Sequence, residues 1–276
     1  MSDAGHRPYA AVKGSEPSVT TIIGAMKSVG GLPPAAARET ATYAVHHLAE
    51  WSSLPAEDAI NEIKRHYLGV WDSRAAVGTA VHAVNEKWVA DQDADLRAIV
   101  ANLIETDAKA RGWAKDPDGA VEMLQPYVDG LERFWRIERP NVIRAEYVVR
   151  WPGVAIGQAD MQIDDFTWDI KTTGEKDQRK AIYGDSWGLQ LAAYRWAPQA
   201  VEYTTEGGKP VVQNVEANPT TDGGAVLHLR GDGDYGLWAV DTSAPVRDAF
   251  LAMAHAYAAI KEMGGASALD RSEESR

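Results

Sequence analysis

Asp160, Asp169 and Lys171 are the residues with which this chain could do chemistry, and all three lie in one run, AIGQADMQIDDFTWDIKT, over residues 155–172. Read with period two, Phe166, Trp168 and Ile170 fall on one strand face, and Thr167, Asp169 and Lys171 fall on the other. In the preceding segment Ala159, Met161 and Ile163 share one face, and Gln158, Asp160 and Gln162 share the opposite one. Asp164 and Asp165 suit a two-residue turn between the strands. That turn pairs Ile163 with Phe166, Met161 with Trp168 and Ala159 with Ile170, which sets Asp160 opposite Asp169 and Gln158 opposite Lys171. Side chains so opposed hold their Cβ atoms about 4.5–5.5 Å apart, where like charges repel. A hard divalent cation, Mg²⁺ or Mn²⁺, would remove that repulsion and keep positions open for water. The competing reading is an exposed hairpin face on which Lys171 offsets two surface aspartates.

Other side chains could join this patch. The spacing predicts a helix over residues 72–90 that stacks His82 above Glu86, with Gly78 one turn before His82 leaving room for another backbone. Glu146 falls inside an alternating segment over residues 143–151, the expected first strand. Gln190 and Tyr194 lie four apart on a helix over residues 186–196, both able to hydrogen-bond, with amphipathic packing as the plainer alternative. Arg144 before the hairpin, and Lys176, Arg179 and Lys180 after it, form a local basic strip, although a solvated helix end is the favoured reading of any single one.

These residues must be positioned by a larger frame. With 276 residues and 45% hydrophobic content the chain can bury a sizeable core. Helices are expected over residues 35–51, from Pro55, and over 96–111, 120–138 and 245–263. Later strands are expected over 211–215, 225–230 and 237–240, while the ends, to about residue 16 and from 264 to 276, are polar and lack an apolar pattern. The expectation is an α/β fold, a central mixed β-sheet flanked by helices. A helical N-terminal region, 1–140, would contribute the His-bearing helix to a core at 141–263, followed by a disordered tail at 264–276. The absence of cysteine excludes disulfides, thiolate zinc sites and an iron–sulfur cluster. No signal peptide or long apolar run is present, so a soluble, cytoplasmic protein is expected. A net charge of −12 argues against broad nucleic-acid binding but not against a narrow basic channel.

In order the chain reads GTAVH with His82, Glu146 on a strand, GQAD with Asp160, DIK with Asp169 and Lys171, and QLAAY with Gln190 and Tyr194. This set resembles the PD-(D/E)XK nuclease superfamily, and within it the RecB-like and Cas4-like exonucleases, including phage recombination enzymes. The resemblance implies a restriction-endonuclease-like core and a divalent metal, Mg²⁺ or Mn²⁺, on His82, Asp160 and Asp169. It implies a catalytic set of Asp160, Asp169, Lys171, Gln190, Tyr194 and Glu146, with Lys171 acting on the attacking water and Gln190 and Tyr194 shaping the site against DNA. The implied activity is exonucleolytic hydrolysis of DNA ends in phage or prophage recombination or end processing, in a bacterial host's cytosol. A structure-selective endonuclease and a non-catalytic DNA-binding module are the alternatives. The resemblance also leaves room for a single-strand annealing or recombinase protein as partner and for a homo-oligomer. Cas4 proteins typically carry an iron–sulfur cluster on four cysteines, and this chain has no cysteine with which to do so.

Overall fold

The computed structural model describes residues 16–27, 32–91, 94–106, 117–174, 184–206 and 209–263. The tail from 264 and the chain before residue 16 lie outside them, as do Lys176, Arg179 and Lys180.

Among the described residues, six helices precede the first strand: α1 Val19–Lys27, α2 Leu32–His46, α3 Leu48–Trp51, α4 Ala56–Ala90, α5 Leu96–Thr106 and α6 Pro117–Glu138. Strands β1 Val142–Trp151, β2 Ala155–Ile163 and β3 Phe166–Thr173 follow, then α7 Gly184–Arg195. Strands β4 Gln199–Glu206, β5 Lys209–Ala217, β6 Gly223–Arg230 and β7 Tyr235–Val240 lead to α8 Ala244–Met263. These strands form one mixed sheet of order β5-β4-β1-β2-β3-β6-β7, in which β3 and β6 run parallel and the other neighbouring pairs antiparallel. Among the described residues, no helix is long and apolar enough to cross a membrane.

Helices cover both faces of the sheet. On one, Val81 and Val84 of α4, Val100 and Leu103 of α5, and Leu124, Val128 and Leu131 of α6 share a buried cluster with Met161, Ile163, Ile170, Leu227 and Leu229. On the other, Ala193 and Tyr194 of α7 and Phe250 of α8 pack on Val149, Ala155 and Ala159, together with Val19 and Ile22 of α1. Strand β6 separates the faces by alternation: Leu227 and Leu229 point to α6, while Val226 packs on Trp187 and Leu191 of α7. The end of α7 is tied down by Arg195, whose Nε donates to the Thr221 carbonyl at 2.5 Å and whose NH1 donates to the Thr242 carbonyl at 3.2 Å.

Several sequence expectations need correction. The helix expected to start near residue 72 is the second half of one 35-residue helix, α4. Asp72 and Ser73 have helix-starting side chains, but no proline interrupts the run after Pro55, so the backbone continues through them. The helix expected over 35–51 ends at His46, and α3 restarts after His47. Strand β4 was not among the expected strands. Its Ala200 and Val201 are buried, and its Val-Glu-Tyr-Thr alternation is the signal that identifies it.

Candidate active site

The β2–β3 hairpin has the expected register. Met161 pairs with Trp168, Gln162 with Thr167 and Ile163 with Phe166, around a turn whose Asp164 takes φ 46°. The ladder stops at Met161–Trp168, so Asp160 and Asp169 are the first residues beyond it. Beyond that point a carboxylate replaces the ladder: the Ile170 amide donates to Asp160 Oδ2 at 2.6 Å. The expected pairing of Gln158 with Lys171 therefore does not form, because the strands have already parted. Gln158 Nε2 instead donates to Glu146 Oε2 at 2.5 Å, across the diagonal of the β1–β2 pair.

Glu146 is the hinge of the arrangement. Its φ of 48° lies in the left-handed region, uncommon for a residue with a side chain and costing of order 1–3 kcal/mol. The pairs on either side, Ala145–Met161 and Tyr147–Ala159, keep one register, so Glu146 and Asp160 occupy the gap between them. Side-chain alternation reverses there. Ala159 packs toward α7, whereas Met161 and Ile163 pack toward α4 and α6. Ala159, Met161 and Ile163 were expected on one face; the irregularity at Glu146 and Asp160 divides them.

Helix α4 crosses this break and presents His82, whose Nδ1 lies 3.4 Å from Asp160 Oδ1. One ligand atom each from His82, Glu146 and Asp160 lies within 4.8 Å of the others. Asp169 is only 2% exposed and its Oδ2 pairs with Lys171 Nζ. Gln190 Nε2 on α7 donates to Asp169 Oδ1 at 2.9 Å and to the Tyr194 hydroxyl at 3.0 Å. The Tyr194 ring is itself buried. These seven side chains, from α4, β1, β2, β3 and α7, thus form one site, with Tyr194 behind Gln190. Gly78 stands over Thr172, and a Cβ there would meet only Thr172 Oγ1 at 3.6 Å, an ordinary contact, so the close backbone approach expected at Gly78 does not occur.

The electrostatics are those of crowded acids. Burial opposes a charge on His82, but Asp160, and after it Glu146 and Asp169, outweigh it and raise its pKa to about 9. Burial, and then the charge of Asp160, raise Glu146 well above the ordinary carboxylate range, against the pull of His82. Burial likewise raises Asp169, with Lys171 opposing it and Asp160 adding to it. Asp160 alone among these acids is lowered: burial works against its charge, but His82, Lys171 and the Ile170 amide hold it ionised. Glu146 Oε1 is buried with no hydrogen-bond partner, an acceptor without a donor at the centre of the group. Two carboxylates and an imidazole with a spare oxygen suit a divalent cation of the Mg²⁺ or Mn²⁺ class.

Arg144 is half-buried and has partners within the chain. Its Nε donates to Gln162 Oε1 at 2.8 Å, its NH2 donates to Asn218 Oδ1 at 2.7 Å, and its guanidinium stacks on Tyr147 at 3.9 Å. Sequence reasoning missed the parts of Gln158 and Gly157. The G-Q-A-D spelling contained both, but their partners, Glu146 and Tyr194, lie on other elements.

Residues 34–264 match the family model of the PD-(D/E)XK nuclease superfamily. No curated protein matches the chain at a significant level. The match spans most of the 276 residues and encloses the hairpin where Asp160 meets D-I-K, and on that basis the chain belongs to the PD-(D/E)XK nuclease superfamily, a superfamily of metal-dependent nucleases.

Proposed function

We propose that this nuclease is a deoxyribonuclease that degrades DNA from its ends, in recombination or end processing of phage or prophage DNA. One observation carries the reading: His82, Glu146, Asp160, Asp169, Lys171 and Gln190 come from five elements to one patch beyond the end of the β2–β3 ladder. With Tyr194 behind Gln190, these are the residues by which the sequence resembles RecB-like exonucleases.

His82, Glu146 and Asp160 would hold the cation, with Asp169 beside them. When bound, it supplies a more acidic water and a counter-charge for the phosphate. Lys171, anchored on Asp169, is the group to hold or deprotonate the attacking water, or to offset charge developing on the phosphate. As the water oxygen bonds to phosphorus, the bond to the leaving sugar oxygen breaks and that oxygen takes up a proton. Gln190 keeps Asp169 oriented through its 2.9 Å hydrogen bond, and Tyr194 keeps Gln190 oriented in turn. Mg²⁺ and Mn²⁺ both suit the ligands, and DNA is the partner on which the reading depends.

End-labelled linear duplex, linear single strand and covalently closed circular DNA, each incubated with Mn²⁺, test it. Linear DNA is expected to be consumed and closed circles left intact. Cutting of closed circles at a comparable rate would replace the exonuclease with an endonuclease.

A further inference from the structure

Asn85 takes no part in the chemistry above, yet it is fully buried directly behind it. It lies on α4 three residues after His82. Its Oδ1 accepts a hydrogen bond from Trp135 Nε1 of α6 at 3.2 Å, and its Nδ2 donates to Met161 Sδ of β2 at 3.5 Å. Met161 directly follows Asp160. Helix α4 and strand β2 are therefore joined twice in adjacent places, by His82 to Asp160 and by Asn85 to Met161.

The surroundings of Asn85 are otherwise apolar. Val81, Val84, Trp135, Met161 and Ile163 all belong to one buried cluster. Apolar contact is non-directional and tolerates a helix at more than one rotation. A buried amide with fixed partners does not, because any other setting leaves its polar atoms unpaired. Sliding α4 by one residue would move His82 by about 1.5 Å along the helix and turn it by about 100°. Either change would take the imidazole from Asp160.

We propose that Asn85 is a positioning residue: held by Trp135 and Met161, it sets the rotation and height of α4 on β2 and so holds His82 at Asp160. The proposal rests on the reading of His82, Glu146 and Asp160 as a cation site.

The test compares Mn²⁺ affinity, by calorimetry on the metal-free full chain, among wild type, Asn85→Leu, Trp135→Phe and Val84→Ala. Trp135→Phe removes one of the two ties where Asn85→Leu fails to fold. Val84→Ala thins the same buried cluster from the neighbouring position without touching a polar tie. Asn85→Leu is expected to weaken Mn²⁺ binding about tenfold or more, and Trp135→Phe to weaken it less, with Val84→Ala binding as wild type despite its lower melting temperature. In hydrolysis assays Asn85→Leu should need more Mn²⁺ for half-maximal rate while kcat at saturating Mn²⁺ recovers. Wild-type affinity in both Asn85→Leu and Trp135→Phe would overturn the proposal and leave the cation site standing. An equal loss in Val84→Ala would also overturn it. Wild-type protein that takes up no Mn²⁺ would remove the site reading and the proposal together.

Discussion

Gly157 and Tyr194 occupy one another's space: a Cβ on Gly157 would lie 2.5 Å from Cε1 of the Tyr194 ring, and that ring is only 3% exposed. The glycine of G-Q-A-D is thus the seat of the tyrosine of Q-L-A-A-Y. Tyr194 in turn meets Gln190, and Gln190 meets Asp169. Two stretches that are distant in the chain, 157–160 and 190–194, form one mechanical unit. Gly157→Ala is expected to cost about 1–3 kcal/mol through overpacking. It should also lower kcat more than it raises the KM for DNA, because the displaced ring moves Gln190 rather than the DNA. Thermal melting and steady-state kinetics check both parts.

Asp169 and Lys171 form an ion pair in the site, and each is expected to be indispensable. Asp169→Ala and Lys171→Ala should each reduce DNA hydrolysis by a factor of about 10² or more while the far-ultraviolet circular dichroism stays that of wild type. Lys171→Arg should not restore the rate, since a broad planar guanidinium does not reproduce the compact point charge of an ammonium at the same place. Full activity in either alanine variant would remove these residues from the mechanism.

Burial and the charge of Asp160 favour the neutral form of Glu146 in the metal-free protein, so its ionised form needs a cation beside it. Glu146→Gln is therefore expected to leave the metal-free protein as stable as wild type or more so, and to weaken stabilisation by Mn²⁺. In wild type, Mn²⁺ at about 100 times its Kd should add about 2.7 kcal/mol. Melting curves with and without Mn²⁺ measure both effects, and a Glu146→Gln variant stabilised by Mn²⁺ as much as wild type would remove Glu146 from the cation site.

Glu16 is 3% exposed and accepts from Arg150 Nε at 3.0 Å, Arg150 NH2 at 2.6 Å and the Gly153 amide at 3.1 Å. Burial works against its charge, but the hydrogen bonds from Arg150 and Gly153 outweigh it and lower its pKa. Its folded value lies below its unfolded one, so its contribution to stability is present above the ordinary carboxylate pKa. That contribution is lost as pH falls through the depressed folded value. Glu16→Gln should narrow the stability gap to wild type as the solution becomes acid, and urea titrations from pH 7 to pH 3 measure the gap. A gap that widens on acidification would contradict the assignment.

Arg144 has Nε and NH2 committed to Gln162 and Asn218. Asn218 also donates to the Tyr194 and Ala197 carbonyls at 3.1 Å each, so Arg144 supports the end of α7. Arg144→Ala is expected to lower the melting temperature while changing the salt dependence of DNA binding by less than one phosphate contact. A loss of about one unit in that slope would instead give Arg144 a phosphate.

Much of the site was legible because it is local. Period-two alternation and a two-residue turn place Met161 opposite Trp168, and with it Asp160 and Asp169 on the next step away from the turn. The four-residue spacing of Gln190 and Tyr194 puts both on one helix face, and the structure joins them by a 3.0 Å hydrogen bond. Such relations depend on the repeat of the backbone, which the order of residues carries directly. Other features have no local signature. Nothing near Glu146 announces its left-handed backbone, the parting of β2 from β3, or the reversal that sends Ala159 and Met161 to opposite faces. Nor does the run around Asn85 reveal that its amide meets Trp135, fifty residues on, and Met161, seventy-six residues on.

The order of residues carries the side chains, carboxylates, an imidazole and an amine, and the alternation that predicts a mixed α/β frame. Which of them meet depends on the packing of separate elements: Glu146 joins His82 and Asp160, and Tyr194 is packed away behind Gln190. The reason is physical. Spacing fixes neighbours within one helix or hairpin, whereas neighbours between elements are chosen by how apolar faces pack and which buried polar groups find partners.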